Sequence, residues 1–121
     1  MLGHTVVFDL FDCNPLLLND LIITERVVKL LAKLVNAKIL DISSHQFYPQ
    51  GISCIAQITA SHISIHTWPE TKFVAIDVFS CKSRIRVEII EDALIDVFHP
   101  KQITHTEILR GSQLTSIYFN E

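Results

Sequence analysis

Ser61-His62-Ile63-Ser64-Ile65-His66-Thr67 alternates without a break. An extended chain turns successive side chains to opposite sides, so Ile63 and Ile65 share one face while His62, Ser64 and His66 share the other, as in a half-buried strand. Reading outward, residues 37–47 and 52–58 flank Tyr48-Pro49-Gln50-Gly51, where proline fixes φ and glycine permits the turn of an antiparallel hairpin. Residues 73–80 form the next strand, residues 6–11 an earlier one ended by the turn cluster Asp12-Cys13-Asn14-Pro15, and residues 103–109 and 114–119 two short ones at the end. Helical spacing occurs twice. In residues 19–36, Ile23, Val27, Leu30, Leu31 and Leu34 lie opposite Glu25, Arg26, Lys29 and Lys33; in residues 88–98, Ile89, Ile90, Ala93, Leu94 and Val97 recur until the chain stops before Pro100. This order predicts an α+β fold, a two-layer sandwich of an antiparallel sheet with two helices on one face. The 3 glycines and 4 prolines fall where the hydrophobic pattern breaks, which punctuates one domain over residues 1–121.

Composition narrows the function. Ten Lys and Arg against 13 Asp and Glu leave a net charge of −3, with no basic excess for a phosphate backbone, so no nucleic-acid partner is expected. Hydrophobic residues make up 49% and charged residues 19%, which supplies a core and argues against disorder. Cys13, Cys54 and Cys81 are an odd, widely spaced set without a Cys-x-x-Cys pair, as suits a reducing compartment. The first residues lack the basic and apolar regions of a signal peptide. The longest apolar run, residues 16–35, is broken by Asp20, Glu25, Arg26, Lys29 and Lys33, so no membrane span is expected and the location is predicted to be cytoplasmic.

Residues 59–70 concentrate the chemistry: Ser61, Ser64, His62, His66, Trp68 and Glu70. A metal site of His62, His66 and Cys81 is disfavoured, because four residues along a strand separate Cα atoms by about 13 Å. No metal is expected. A hydrolase with Ser61 or Ser64 as nucleophile lacks a Gly-x-Ser-x-Gly elbow. Polar residues lining the solvent side of a strand account for the segment equally well.

The segment Ser61-His62-Ile63-Ser64-Ile65-His66-Thr67-Trp68-Pro69-Glu70, followed by Asp77-Val78-Phe79-Ser80-Cys81, closely resembles the signature of the short prokaryotic S-adenosylmethionine decarboxylases. The resemblance continues upstream through Phe47, Pro49 and Gly51-Ile52-Ser53, and more weakly to Asp9-Leu10-Phe11-Asp12-Cys13. It implies a pyruvoyl enzyme whose cofactor is made from its own Ser61. The Ser61 hydroxyl attacks the Ala60 carbonyl, the peptide becomes an ester, loss of the Ser61 α-proton cleaves it, and hydrolysis leaves the pyruvoyl group. Cleavage would give chains of residues 1–60 and 61–121.

His66 matches the processing base, since imidazole titrates near neutral pH. Ser53 matches a serine near the cleaved bond. The pyruvoyl carbonyl would bind the substrate's amino group as a Schiff base and act as electron sink. Cys81 matches the proton donor to the decarboxylated carbon, a role suited to a thiol that is mostly protonated at neutral pH. For the substrate, S-adenosylmethionine, Phe47 and Trp68 offer aromatic faces, Ile63 matches an apolar pocket residue and Glu70 a ribose-binding carboxylate.

The resemblance also implies a homodimer, because family members of this size resemble half of a larger two-fold assembly; a sheet covered on one side leaves apolar surface for a partner. Two positions depart from the family: Ala60 stands where glutamate is usual, and Lys82 where glycine follows the cysteine. The acyl shift uses the carbonyl of residue 60 rather than its side chain, so the chemistry permits alanine. Two other readings stay open: a pyruvoyl-dependent decarboxylase of a small amino acid such as ornithine or arginine, and an unprocessed non-catalytic homologue.

Overall fold

The structure, a computed structural model, describes residues 2–82 and 84–111 and the backbone of residues 117–120. The chain runs β1 (Gly3–Phe11), α1 (Pro15–Leu18), α2 (Leu21–Leu34), β2 (Ile39–Gln46), β3 (Ile52–Ile58), β4 (Ser61–Trp68), a 3-10 turn (Pro69–Thr71), β5 (Phe73–Ser80), α3 (Val87–Phe98), β6 (Gln102–Arg110) and β7 (Ile117–Asn120). The strands form a single sheet in the order β2-β3-β4-β5-β1-β6-β7, and each neighbouring pair is antiparallel.

Alternation decides which side of this sheet is buried. Val6, Phe8 and Leu10 of β1, Cys54, Ala56 and Ile58 of β3, Ile63 and Ile65 of β4, and Val74, Ile76 and Val78 of β5 all face the helices. They meet Val27, Val28 and Leu31 of α2 and Ile90, Leu94 and Phe98 of α3, which supply the apolar helix stripes. The predicted sandwich with the two long helices on one face is the observed one. Among the described residues the opposite face carries no helix; Ile55 and Trp68 there are about half exposed, at 50% and 41%.

A third, four-residue helix, α1, was not expected; it starts at Pro15, the last residue of the Asp12-to-Pro15 turn cluster. Its cause is local: Asn14 Oδ1 accepts from the Leu16 N–H at 3.0 Å, and Pro15 takes the first helical position, where a missing N–H costs nothing. α2 starts at residue 21 rather than 19 because Asp20 Oδ1 caps it, accepting from the Ile23 N–H at 3.0 Å. β1 starts at Gly3, three residues before the apolar run, because β5 and β6 pair with it on both sides as far as His4. Of the last expected strand, residues 114–116 lie outside the described residues.

Gly51, at the end of the β2–β3 turn, has φ of 106°, and a Cβ there would meet the Thr67 carbonyl oxygen at 3.2 Å. Its N–H donates to Asn19 Oδ1 at 3.0 Å, tying the turn to the link between α1 and α2. Gly51→Ala is expected to destabilise the protein by about 1–2 kcal/mol, since an L-residue pays for this conformation. Thermal unfolding checks it through a Tm lower by roughly 5 °C.

Candidate active site

Two groups of the sequence-predicted residues sit at the two ends of β4. At its start, Thr59 and Ala60 make a two-residue turn from β3, with Ile58 and Ser61 paired across it. Ala60 has φ of 58°, a left-handed conformation that costs alanine about 1–2 kcal/mol. The turn is held there: the Thr59 N–H donates to the Lys38 carbonyl at 2.9 Å, and Thr59 Oγ1 accepts from the Lys38 N–H at 3.1 Å. The Ala60 carbonyl oxygen accepts the Cys81 N–H at 3.1 Å. Ser61 pairs across the sheet with Ser80, so Cys81 follows immediately beside the Ala60–Ser61 peptide. A cavity of about 520 Å³ opens at this end, lined by Lys33, Lys38, Lys82, Asn36, Ala37 and Thr59. Three ammonium groups make it locally positive in a chain of net charge −3.

At the far end of β4, on the helix-free face, Phe47, Ser53, His66, Trp68 and Glu70 line one cavity of about 290 Å³. Sheet register explains the meeting, because Ser53 of β3 pairs directly with His66 of β4. Their side chains share a hydrogen bond of 2.8 Å between Ser53 Oγ and His66 Nδ1. An aromatic run borders the cavity. The Trp68 ring lies 6.3 Å from His66 and 5.5 Å from Phe73, and Phe73 lies 5.4 Å from Phe11. Phe47 meets His45 edge-on at 4.5 Å. The sequence did not single out His45 or Phe73, and Phe11 appeared only in the weaker upstream part of the resemblance. Their signal was the strand period itself, since His45 lies on the same face as Phe47 and opposite Ser53 in the β2–β3 register.

The two groups do not meet within one chain. Ser61 and His66 are five residues apart on one strand, about 17 Å, and their side chains alternate to opposite faces. Ile63, expected to line a substrate pocket, is instead in the core at 0% exposure, because its parity turns it under the helices.

Of the three thiols, Cys13 and Cys54 are buried and Cys81 is exposed. Burial, helped by the neighbouring Asp12 carboxylate, pushes the Cys13 thiol up to about 11. Burial raises the Cys54 thiol too, against a hydrogen bond from Ser44. Brief alkylation of the native protein is therefore expected to give a single adduct, on Cys81, by peptide mass spectrometry. Adducts on Cys13 or Cys54 at a comparable rate would contradict this burial pattern.

A family model described as S-adenosylmethionine decarboxylase matches residues 4–111. The S-adenosylmethionine decarboxylase proenzyme of Thermodesulfovibrio yellowstonii is 40% identical over 110 residues, 91% of this chain and 82% of that protein. The proenzyme of the same name from Clostridium tetani is 36% identical over 91% of this chain and 87% of its own. Among solved structures, the adenosylmethionine decarboxylase from Aquifex aeolicus VF5 superposes with a TM-score of 0.78 at 25% identity, covering 93% of this chain and 98% of that one. Residues 4–111 take in both ends of β4 and every residue of the two groups, and the chain belongs to the S-adenosylmethionine decarboxylase family.

Proposed function

We propose that this chain is a proenzyme that cuts its own Ala60–Ser61 peptide, converts Ser61 into a pyruvoyl group and decarboxylates S-adenosylmethionine, whose decarboxylated product serves spermidine synthesis. The observation that carries the reading is the turn itself: a left-handed alanine whose carbonyl is already hydrogen-bonded by the Cys81 N–H, directly before the serine. Attack by Ser61 Oγ on that carbonyl carbon develops negative charge on an oxygen that already has a fixed donor, the geometry of an oxyanion site. Breaking the C–N bond also releases the turn strain. Removal of the Ser61 α-proton expels the Ala60 carboxylate and leaves a dehydroalanine at residue 61, whose imine form water hydrolyses to the pyruvoyl group with loss of ammonia.

The pyruvoyl group supplies an electron sink for loss of carbon dioxide from a substrate held through its amino group. This chain's residues do the rest. Phe47 and Trp68 present aromatic faces to the adenine and sulfonium, and the Glu70 carboxylate accepts from ribose hydroxyls. These aromatic walls favour an adenosyl substrate over ornithine or arginine. Cys81, exposed beside residue 61, delivers the proton to the substrate carbon.

His66, as base for the Ser61 α-proton, lies too far from Ser61 in its own chain. We infer a homodimer in which the uncovered sheet faces pack together, with a two-fold axis across the strands setting one β4 antiparallel to the other. The start of one β4 then lies near the end of its mate, and the Ser53–His66 pair of each copy serves the turn of the other. The 290 Å³ cavity sits at the lower limit of small-molecule sites, roughly 300–1,000 Å³, as suits half a site. Mixing Ser61→Ala chains with His66→Ala chains tests this. Cleavage of the His66→Ala chain alone, rescued by His66 of the partner subunit, is expected by intact mass spectrometry. No cleavage of either chain, with dimers formed, would refute the shared site.

A further inference from the structure

The link between β5 and α3 carries Cys81, and among its described residues, 81, 82 and 84–86, three backbone N–H groups fasten it. The Cys81 N–H donates to the Ala60 carbonyl at 3.1 Å, the Lys82 N–H to Ser80 Oγ at 3.3 Å, and the Ile85 N–H to His4 Nδ1 at 2.8 Å. The third fastening comes from outside the sequence motif. His4 lies on β1, directly opposite Ser80, which is directly opposite Ser61. It is therefore two strands from Ser61, about 10 Å, on the helix-covered side of the sheet. Its side chain is completely buried.

Because Nδ1 accepts from Ile85, the ring proton of neutral His4 sits on Nε2, which donates to Glu107 Oε1 at 3.0 Å. Both ring nitrogens are thus used, one toward the link and one toward β6. We infer that His4 is a positioning residue, whose Nδ1 holds the residue 81–86 link so that the Cys81 thiol stays registered beside the Ala60–Ser61 turn. The inference rests on the reading of Cys81 as proton donor.

The clamp works only with neutral His4, since protonating Nδ1 replaces the acceptor with a second donor aimed at the Ile85 N–H. Burial holds the imidazole below its ordinary titration range, against the opposing pull of Glu107 and with a smaller push from Arg84. The titratable and charged groups around it are Glu107 and His105 on β6, Arg84 on the link, 4.0 Å from Glu107, and Glu91 on α3, which hydrogen-bonds His105. A depressed histidine stabilises the fold fully above its ordinary range, and that contribution is lost as pH falls through its folded value. The link should accordingly loosen in acid before the sheet does.

Two isosteric substitutions separate the two ring contacts. Asparagine places an acceptor where Nδ1 stands, and glutamine places its polar end where Nε2 stands. In the full-length protein, His4→Gln is expected to lower hydrogen-exchange protection of the Ile85 amide about tenfold, and kcat about tenfold with KM little changed, whereas His4→Asn keeps both near wild type. Equal behaviour of the two variants would mean a merely structural histidine and would overturn the inference. Loss of Ile85 protection with unaltered kcat would overturn it as well, whereas full turnover by Cys81→Ala would instead remove the proton-donor reading on which it rests. Should His4→Gln fail to fold, the acid limb decides. After correction for intrinsic exchange, wild type is expected to lose Ile85 protection below the titration of His4 while His4→Asn retains it, and parallel loss in both would refute the clamp.

Discussion

Ser61→Ala is expected to leave one full-length chain without measurable decarboxylation, the largest effect of any single substitution here. Alanine has no hydroxyl to attack the Ala60 carbonyl, so neither the ester nor the pyruvoyl group can form. The fold should survive. Ser61 is only half-buried at the edge of a turn, its N–H and C=O remain in the β3–β4 ladder, and the left-handed residue is its neighbour. Circular dichroism with intact mass spectrometry reads both halves of the expectation. Cleavage of Ser61→Ala at residue 60 would show that another nucleophile acts.

Cys81→Ala separates the two reactions. The bond to the Ala60 carbonyl comes from the Cys81 backbone N–H, which alanine retains, so cleavage should proceed at close to the wild-type rate. The thiol is lost, and decarboxylation should fall by roughly 10²- to 10⁴-fold, the ordinary worth of a positioned proton donor. Released carbon dioxide measured on fully cleaved protein checks it. A folded Cys81→Ala protein that stays uncut would assign the side chain to processing instead.

The centre of the sheet was legible because β3, β4 and β5 obey period two strictly. Residues 52–58 and 73–80 emerge with the bounds expected, and β4 extends the alternating segment by one residue, Trp68. Helix ends were less legible where a single capping side chain decides them, as at Asn14 and Asp20. The site residues announced themselves through a motif, but their grouping did not. Parity along β4 puts Ser61 and His66 on opposite faces, and that separation was implicit in the alternation from which the strand was inferred. Ile63 follows the same rule and belongs to the core. His4 carried no local signal at all. Its importance arises from β1 lying beside β5, a pairing between residues 76 apart in sequence at His4 and Ser80, which only the assembled sheet reveals.

Intact mass spectrometry of the wild-type protein during prolonged incubation tests self-cleavage most directly. Two species are expected to replace the 13.8 kDa chain, one of residues 1–60 ending in a free carboxylate and one of residues 61–121 blocked at its start by a pyruvoyl group. A full-length chain that persists unchanged, with dimers present, would contradict a proenzyme that makes its own cofactor.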